Sequence, residues 1–381
     1  MVRRSKSLMV ICNSLGTGGA EKHTVSLVNG LHRKGWSIVL VYLSHSTDLL
    51  AELDEGLRSR AIYVHRRSYL DLAAVASIRR LLAQYRVSSI LSVNQLPLLY
   101  SLLSRGLDRR IQLFSGWHTT KIPIRESVKF YLSAWWMFKF TTKVIYVCET
   151  QMNHWSSRWL HIRGRGLYIY NGIDVKKFVL PKQETRLEYR ERLDIPQGAL
   201  VLVSIAMLRP EKRHVDMVSA LKRLVDKGFD VYLLCVGEGS ERDSIILAAE
   251  ELGLKRRVKL IGLVDDVQPY LAASDATLML SNAIETFSIA VLESLSCGCP
   301  VVAYDIGGIR EQIVADEQGV VLPFRDEGAL VAAIERLQSQ RHRLDKKRLH
   351  DYVAGQFSVD NMVQAYEELF LGENLLSERE N

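Results

Sequence analysis

The chain has 381 residues, of which 48% are hydrophobic and 24% charged, a balance that excludes a wholly disordered or collagen-like protein. Its length exceeds what one hydrophobic core usually serves, so two domains are expected. The net charge of +7 is unevenly spread: residues 1–170 carry 24 Lys+Arg and 9 Asp+Glu (+15), and residues 171–381 carry 26 and 34 (−8). A basic half joined to an acidic half implies different partners for each.

Five cysteines at wide spacing, Cys12, Cys148, Cys235, Cys297 and Cys299, form neither a disulfide framework nor a zinc pattern. Reduced thiols in a cytoplasmic protein are expected. The N-terminal MVRRSKSLMVICNSLG reads as a first strand rather than a signal peptide. No apolar run is long enough for a membrane-spanning helix.

In chain order, strand-like Ser7–Asn13 leads through a Gly-rich turn to a helix over Ala20–Lys34. Strands follow at Trp36–Leu43, Ala61–Val64, Ser88–Val93, Ile111–Phe114 and Lys143–Val147, with a helix at Leu72–Gln84. Polar Pro181–Gln197 reads as a connector containing a short charged helix. The alternation restarts with strands at Val201–Ile205, Val231–Val236, Val258–Ile261, Ala276–Leu280, Val301–Tyr304 and Gly319–Leu322. Helices are predicted at His214–Lys227, Glu241–Leu252 and Ile289–Ser296, with a helical tail over Asp360–Leu371. Strands separated by helices imply parallel sheets built from βαβ units. The predicted fold class is α/β. Its parts are an N-terminal domain over 1–178, a linker over 179–198, a C-terminal domain over 199–357 and a tail over 358–381.

The segment Lys129–Lys143, KFYLSAWWMFKFTTK, interleaves aromatic and basic residues. Two readings stand level: a segment lying in a membrane interface, and a core helix whose aromatics pack inward.

In α/β sheets, ligands bind beyond the C-terminal strand ends, so strand-to-helix turns carry the candidate sites. Gly16-Thr17-Gly18-Gly19 lets backbone N–H groups approach an anion, or is a plain tight turn. Arg209-Pro210-Glu211-Lys212-Arg213-His214 gathers basic groups at a helix start, where a diphosphate would be neutralised; the alternative is a solvated cap. Lys212 is the preferred ligand there, then Arg209. Gly237-Glu238-Gly239 would support a base or ribose, or simply turn the chain. Glu285 precedes a helix that contains Glu293, among Val291, Leu292 and Leu295, where an unpaired carboxylate is costly. The N–H groups of Thr286, Phe287 and Ser288 open toward a phosphate; two unrelated surface glutamates are the plain alternative. His118 follows the strand Ile111–Phe114 and would donate or accept near neutral pH, or serve structure alone. The other nine histidines have no comparable placement.

Taken in order, these motifs resemble the retaining glycosyltransferase family 4, over nearly the whole chain. The resemblance rests on Gly16-Thr17-Gly18-Gly19-Ala20-Glu21, Asn171-Gly172-Ile173-Asp174, Pro210-Glu211-Lys212, Gly237-Glu238-Gly239, Glu285-Thr286-Phe287 with Glu293, Gly298-Cys299-Pro300-Val301-Val302 and Gly307-Gly308. It implies the GT-B architecture, two Rossmann-like domains facing an interdomain cleft. It also implies roles. Gly18 and Gly19 would approach the donor phosphates, and Lys212 would neutralise the departing diphosphate. Glu285 would orient the donor sugar, Glu293 would bind the ribose, and His118 would lie near the reacting sugar. Arg209, Gly237, Thr286, Phe287 and Ser288 would complete donor binding, while Asn171 and Gly172 would shape the cleft. The tail would cross back to the N-terminal domain. One departure is Met207, where family members often carry a phosphate-contacting arginine; Arg209 lies two positions on.

The activity so implied is transfer of a hexose or N-acetylhexosamine from a nucleotide sugar, UDP-linked, with retention at the anomeric carbon. No metal or cofactor beyond the donor is implied. The basic half suits a lipid-linked saccharide or glycolipid acceptor in envelope polysaccharide or lipopolysaccharide assembly, at the cytoplasmic face of a membrane. The alternatives are a soluble acceptor, a catalytically silent GT-B scaffold, and a nucleic-acid-binding protein. No motif reads bases and the basic residues are scattered, so nucleic acid is not an expected partner.

Overall fold

The structure is a computed structural model that describes residues 6–118, 136–159, 164–282 and 285–373. The chain divides into two compact units, Met1–Gly172 with Val359–Asn381, and Ile173–Ser358.

The first unit holds a parallel sheet of β1 (Ser7–Cys12), β2 (Ser37–Tyr42), β3 (Ala61–Tyr63), β4 (Ser89–Val93), β5 (Gln112–Trp117), β6 (Lys143–Tyr146) and β7 (Gly166–Tyr168). Their order across the sheet is β3-β2-β1-β4-β5-β6-β7. Every residue of β1 and β4 is buried. A central strand covered on both faces reads as a continuous apolar run, which is why SLMVIC was legible as a strand. The short β7 and the helix Gln95–Arg105 lie outside the predicted elements.

The helix Val359–Leu371 belongs to this first unit and packs on the helix Gly19–Arg33. The two approach through Gly30, where an added Cβ would lie 2.4 Å from the Val363 side chain. Glu367 accepts from Lys6 Nζ (2.9 Å), Lys34 Nζ (2.9 Å) and Trp36 Nε1 (3.0 Å). Burial raises its pKa, but those donors outweigh it and bring the carboxyl down to about 2.

The second unit holds a parallel sheet of β8 (Leu200–Ile205), β9 (Val231–Val236), β10 (Val258–Gly262), β11 (Ala276–Met279), β12 (Val301–Tyr304) and β13 (Gly319–Leu322), in the order β10-β9-β8-β11-β12-β13. The polar stretch 179–198 carries the helix Gln183–Arg192, which packs on the helix Gln268–Ala273. Buried Arg190 fastens it: its guanidinium meets Asp275 at 2.8 Å and donates to Ala273 O at 2.9 Å. Arg186 meets the other oxygen of Asp275 at 2.7 Å.

All five cysteines are buried and none forms a disulfide. Of the aromatic segment Lys129–Lys143, residues 129–135 lie outside the described residues. Met137 and Phe138 are buried, with Phe138 against Trp117 and Trp159, whereas Trp136 is 47% exposed and Phe140 38%. The described part therefore divides between core and surface. Among the described residues, no helix is long and apolar enough to cross a membrane.

Candidate functional site

Both sheets reverse strand order at one point, between β1 and β4 in the first and between β8 and β11 in the second. The crevice beyond the C-terminal strand ends at such a switch point is where α/β sheets bind ligands. The candidate residues gather at these two places.

In the first unit, Gly16–Gly19 follows β1 and opens the helix Gly19–Arg33, with Gly18 as its N-cap. A Cβ on Gly18 would lie 2.3 Å from Glu21 Oε2, so the carboxylate now sits directly over this glycine and any larger residue would push it aside. Glu21 Oε1 accepts from Ser14 Oγ at 3.1 Å. The acidic group three residues into the helix satisfies its N-terminal dipole in this state.

His118 stands just beyond β5. Its backbone N–H donates to Asn94 Oδ1 at 3.0 Å. Asn94 ends β4 with φ 68 and ψ −173, a region that a side chain other than glycine rarely occupies. The His118 ring lies edge-on to His23, with centroids 4.6 Å apart. His23 Nε2 is 3.2 Å from the Tyr366 hydroxyl. Burial lowers the His118 pKa well below the usual histidine value, and repulsion from His23 adds to this. Burial brings His23 down to about 4, against an opposing hydrogen bond from Asn171. The ring of His118 is therefore neutral at physiological pH, an uncharged donor or acceptor. His23 contradicts the expectation that no other histidine has a comparable placement. On a helix it reads as one polar position among many, and only the fold brings it to His118.

In the second unit, Lys212 ends the short 3-10 turn Pro210–Lys212 after β8, and Glu285 follows β11. Lys212 Nζ meets Glu285 Oε2 at 2.6 Å and donates to Ser281 Oγ at 3.3 Å. The proposed leaving-group cation and the proposed sugar-orienting carboxylate thus touch. Arg209 is directed elsewhere, 3.9 Å from Glu211 and half exposed, and Met207 is also half exposed. Arg213 pairs with Asp216. His214 is buried 3.3 Å from Ser204 Oγ, and burial together with the Lys212 charge lowers it to about 4.

Thr286, Phe287, Ser288 and Glu293 are all buried. Ser288 caps the helix Ile289–Ser296, its Oγ accepting from Val291 N at 3.4 Å. Its own N–H donates to Gln312 Oε1 at 3.1 Å, and Gln312 Nε2 donates back to Ser288 O at 2.7 Å. That N–H is engaged within the protein, and Gln312 was not among the predicted residues. Gly307, at φ 57, lies where a Cβ would come within 2.1 Å of Glu285 O. Gly237 (φ 139) and Gly239 (φ 159) run against the backbone of residues 206–208; a Cβ on Gly237 would meet Ala206 O at 2.1 Å. Close backbone approach accounts for both glycines.

A cavity of about 350 Å³ lined in part by Asp275 and Pro300 opens at the N-terminal strand ends of this unit, away from the Lys212–Glu285 pair. Among the described residues, no group of three or more His, Cys, Asp or Glu is placed to hold a metal ion.

Two parallel sheets, each covered by helices, define the GT-B architecture of two Rossmann-like domains. Residues 17–177 match the family model of Glycosyltransferase Family 4, and residues 185–352 that of Glycosyl transferases group 1. The chain belongs to the GT-B glycosyltransferases, with cell-envelope polysaccharide enzymes among those it resembles. HepE of Anabaena in complex with UDP superposes with a TM-score of 0.84 at 20% identity, covering 96% of this chain and 99% of that one. The N-acetyl-alpha-D-glucosaminyl L-malate synthase of Bacillus anthracis is 31% identical over 204 residues, 53% of this chain and 52% of its own. The lipopolysaccharide core biosynthesis glycosyltransferase LpsE of Rhizobium meliloti is 34% identical over 183 residues, 47% of this chain and 52% of its own. The chain spans about half the length of these curated relatives.

Proposed function

We propose that the protein is a retaining glycosyltransferase that moves a hexose or N-acetylhexosamine from a UDP-sugar to a lipid-linked saccharide or glycolipid in envelope polysaccharide biosynthesis, at the cytoplasmic membrane face. The observation that carries this reading is the Lys212–Glu285 pair at 2.6 Å, at the switch point of the second sheet. A cation that can turn to a diphosphate and a carboxylate that can accept sugar hydroxyls are the two groups glycosyl transfer needs side by side. HepE complexes with UDP and with UDP-glucose support the choice of donor.

In the reaction, the bond from the anomeric carbon to the diphosphate oxygen breaks and one to an acceptor oxygen forms on the same face. The acceptor proton passes to the departing phosphate. Lys212 stabilises the charge growing on that phosphate, joined by Arg209 once it turns away from Glu211. Glu285 holds the sugar hydroxyls, and Glu293 the ribose. Neutral His118 hydrogen-bonds the sugar without adding a positive charge beside an oxocarbenium-like centre. Gly18, Gly19, Gly237, Thr286 and Phe287 lend backbone approach to the donor, and Ser288 orders the helix end. A phosphate reaching Gly18 displaces the Glu21 carboxylate now above it.

The net charge of +15 over residues 1–170 supports an anionic lipid acceptor held by the first unit. A soluble acceptor is the second reading, favoured by the Bacillus anthracis relative, whose name specifies an L-malate product. A donor-by-acceptor screen with mass and linkage determination tests both. Turnover of a UDP-sugar onto a lipid-linked saccharide with the α-anomer conserved is the expected result. An inverted product would end the retaining assignment, and no binding or turnover of any nucleotide sugar would leave a silent scaffold.

A further inference from the structure

The first unit concentrates charge at the end of its sheet remote from His118. An open cavity of about 680 Å³ lies at the N-terminal ends of β4 and β5, lined by Arg79, Arg86, Arg105 and Arg110, with Asp108 the carboxylate among its lining residues. Arg110 grips Asp108 through two nitrogens, both at 2.9 Å, so this carboxylate is already satisfied. Among the described residues, Arg79 donates only to neutral carbonyls, Ser104 O and Leu103 O, each at 3.0 Å. Arg105 likewise donates to Phe140 O at 3.1 Å, and its Nε is buried without a hydrogen-bond partner among the described residues. These bonds fix the guanidiniums in place without neutralising them, and Asp108, already gripped by Arg110, offsets only part of the Arg105 charge.

Arg86 adds a second, independent sign. It follows the helix Leu72–Gln84 with φ 48, a left-handed position where glycine is the low-cost residue. Its side chain is exposed and makes no ion pair among the described residues. Burial first, and then the neighbouring Arg109, disfavour the charged form of Arg105, against an opposing pull from Asp108. Like charges gathered this way repel, and a bound polyanion relieves the repulsion.

We propose that this cavity is an anion site for a phosphate-bearing ligand, gripped by Arg79, Arg86 and Arg105 and separate from the sugar-donor site. Planar guanidiniums offer paired donors that match phosphate oxygens, which lysines do not. The same chemistry is offered by a soluble phosphate ester or a phospholipid headgroup. Leu107, 96% exposed on the same loop, is the apolar contact a lipid source would use.

The test is calorimetry of the full chain with inorganic pyrophosphate, in a Lys212→Ala background so that the outcome is independent of the donor site. Saturable binding is expected, weakened at least about tenfold by Arg86→Gly with Arg109→Ser, and by Arg105→Gln. The first variant removes only exposed side chains and relaxes the Arg86 backbone, so its melting temperature is expected to hold or rise. Sedimentation with phosphatidylglycerol against phosphatidylcholine vesicles separates the sources. Parallel loss of phosphatidylglycerol binding supports a lipid headgroup, and loss of pyrophosphate binding alone supports a soluble ligand. Absence of saturable pyrophosphate binding in the parent, or equal binding by the parent and the folded variants, overturns the proposal.

Discussion

Asn94 holds His118 by the backbone: its side-chain oxygen accepts the His118 N–H at 3.0 Å, and it adopts φ 68 to do so. Its own N–H donates to Gly116 O at 2.8 Å, which closes the turn beyond β4 onto β5. Two substitutions separate the backbone from the side chain. Asn94→Gly tolerates the dihedral and loses the bond, so melting is expected to change little while kcat/KM falls roughly tenfold. Asn94→Ala loses both and is expected to cost about 1–3 kcal/mol in addition. Thermal melts and steady-state kinetics on both variants check this, and unaltered kinetics in Asn94→Gly would detach Asn94 from His118 function.

Lys212 and Glu285 each retain some solvent contact, so their pair contributes about 1 kcal/mol or less to folding. Glu285→Gln and Lys212→Met are therefore expected to melt near the parent temperature. Turnover is expected to drop about 100-fold or more in each, because each removes a preorganised group from the reacting centre. A variant that melts normally and turns over normally removes its residue from the site.

Acid sensitivity follows from the buried histidines. His23 and His214 are held down to about 4 by burial, against about 6.5 in the unfolded chain. Between those values the unfolded state binds more protons, so stability rises with pH. The contribution is complete above about 6.5 and is lost as pH falls toward 4, at roughly 1.4 kcal/mol per pH unit for each histidine. Glu367 adds to the loss below about 4.5, where the unfolded carboxyl takes up a proton while the folded one stays charged down to about 2. Melting temperatures across this range are expected to fall steeply toward acid, and His214→Gln to flatten the slope.

Two glycines are expected to answer oppositely to alanine. Gly307→Ala would drive a Cβ to 2.1 Å from Glu285 O, displacing the carboxylate that pairs with Lys212. A loss of about 2–4 kcal/mol together with loss of donor binding is expected. Gly355 lies in the helix Lys346–Gln356, with no atom of the described residues within 4 Å of an added Cβ. Gly355→Ala is expected to stabilise by about 0.5–1 kcal/mol. Paired denaturant titrations and UDP binding check both.

Both sheets were legible because their central strands, SLMVIC and LVLVSI, are almost wholly apolar runs of strand length. The helix Gln95–Arg105 was not predicted. Pro97 falls in its first turn, where a missing N–H is harmless, and the turn at Asn94 has no sequence signature. At the site, Lys212 and Glu285 were readable as types of chemistry at strand ends. Their mutual contact was not, being 73 residues apart in sequence. Asn94, His23, Tyr366 and Gln312 act through geometry that only packing supplies. Gly237 and Gly239 were readable as special, and the structure gives the cause as backbone crowding.

The bond between His23 and Tyr366 closes a loop of 343 residues, and the whole second unit lies within that loop. The second unit is in effect an insertion in the first. On the ribosome, the continuous stretch Ile173–Ser358 can complete its core while the first unit still lacks Tyr366 and Phe370, whose rings fill the space beside His23 and Trp36. The half that begins synthesis first is therefore the half whose core is completed last, and until then part of its apolar face stays uncovered.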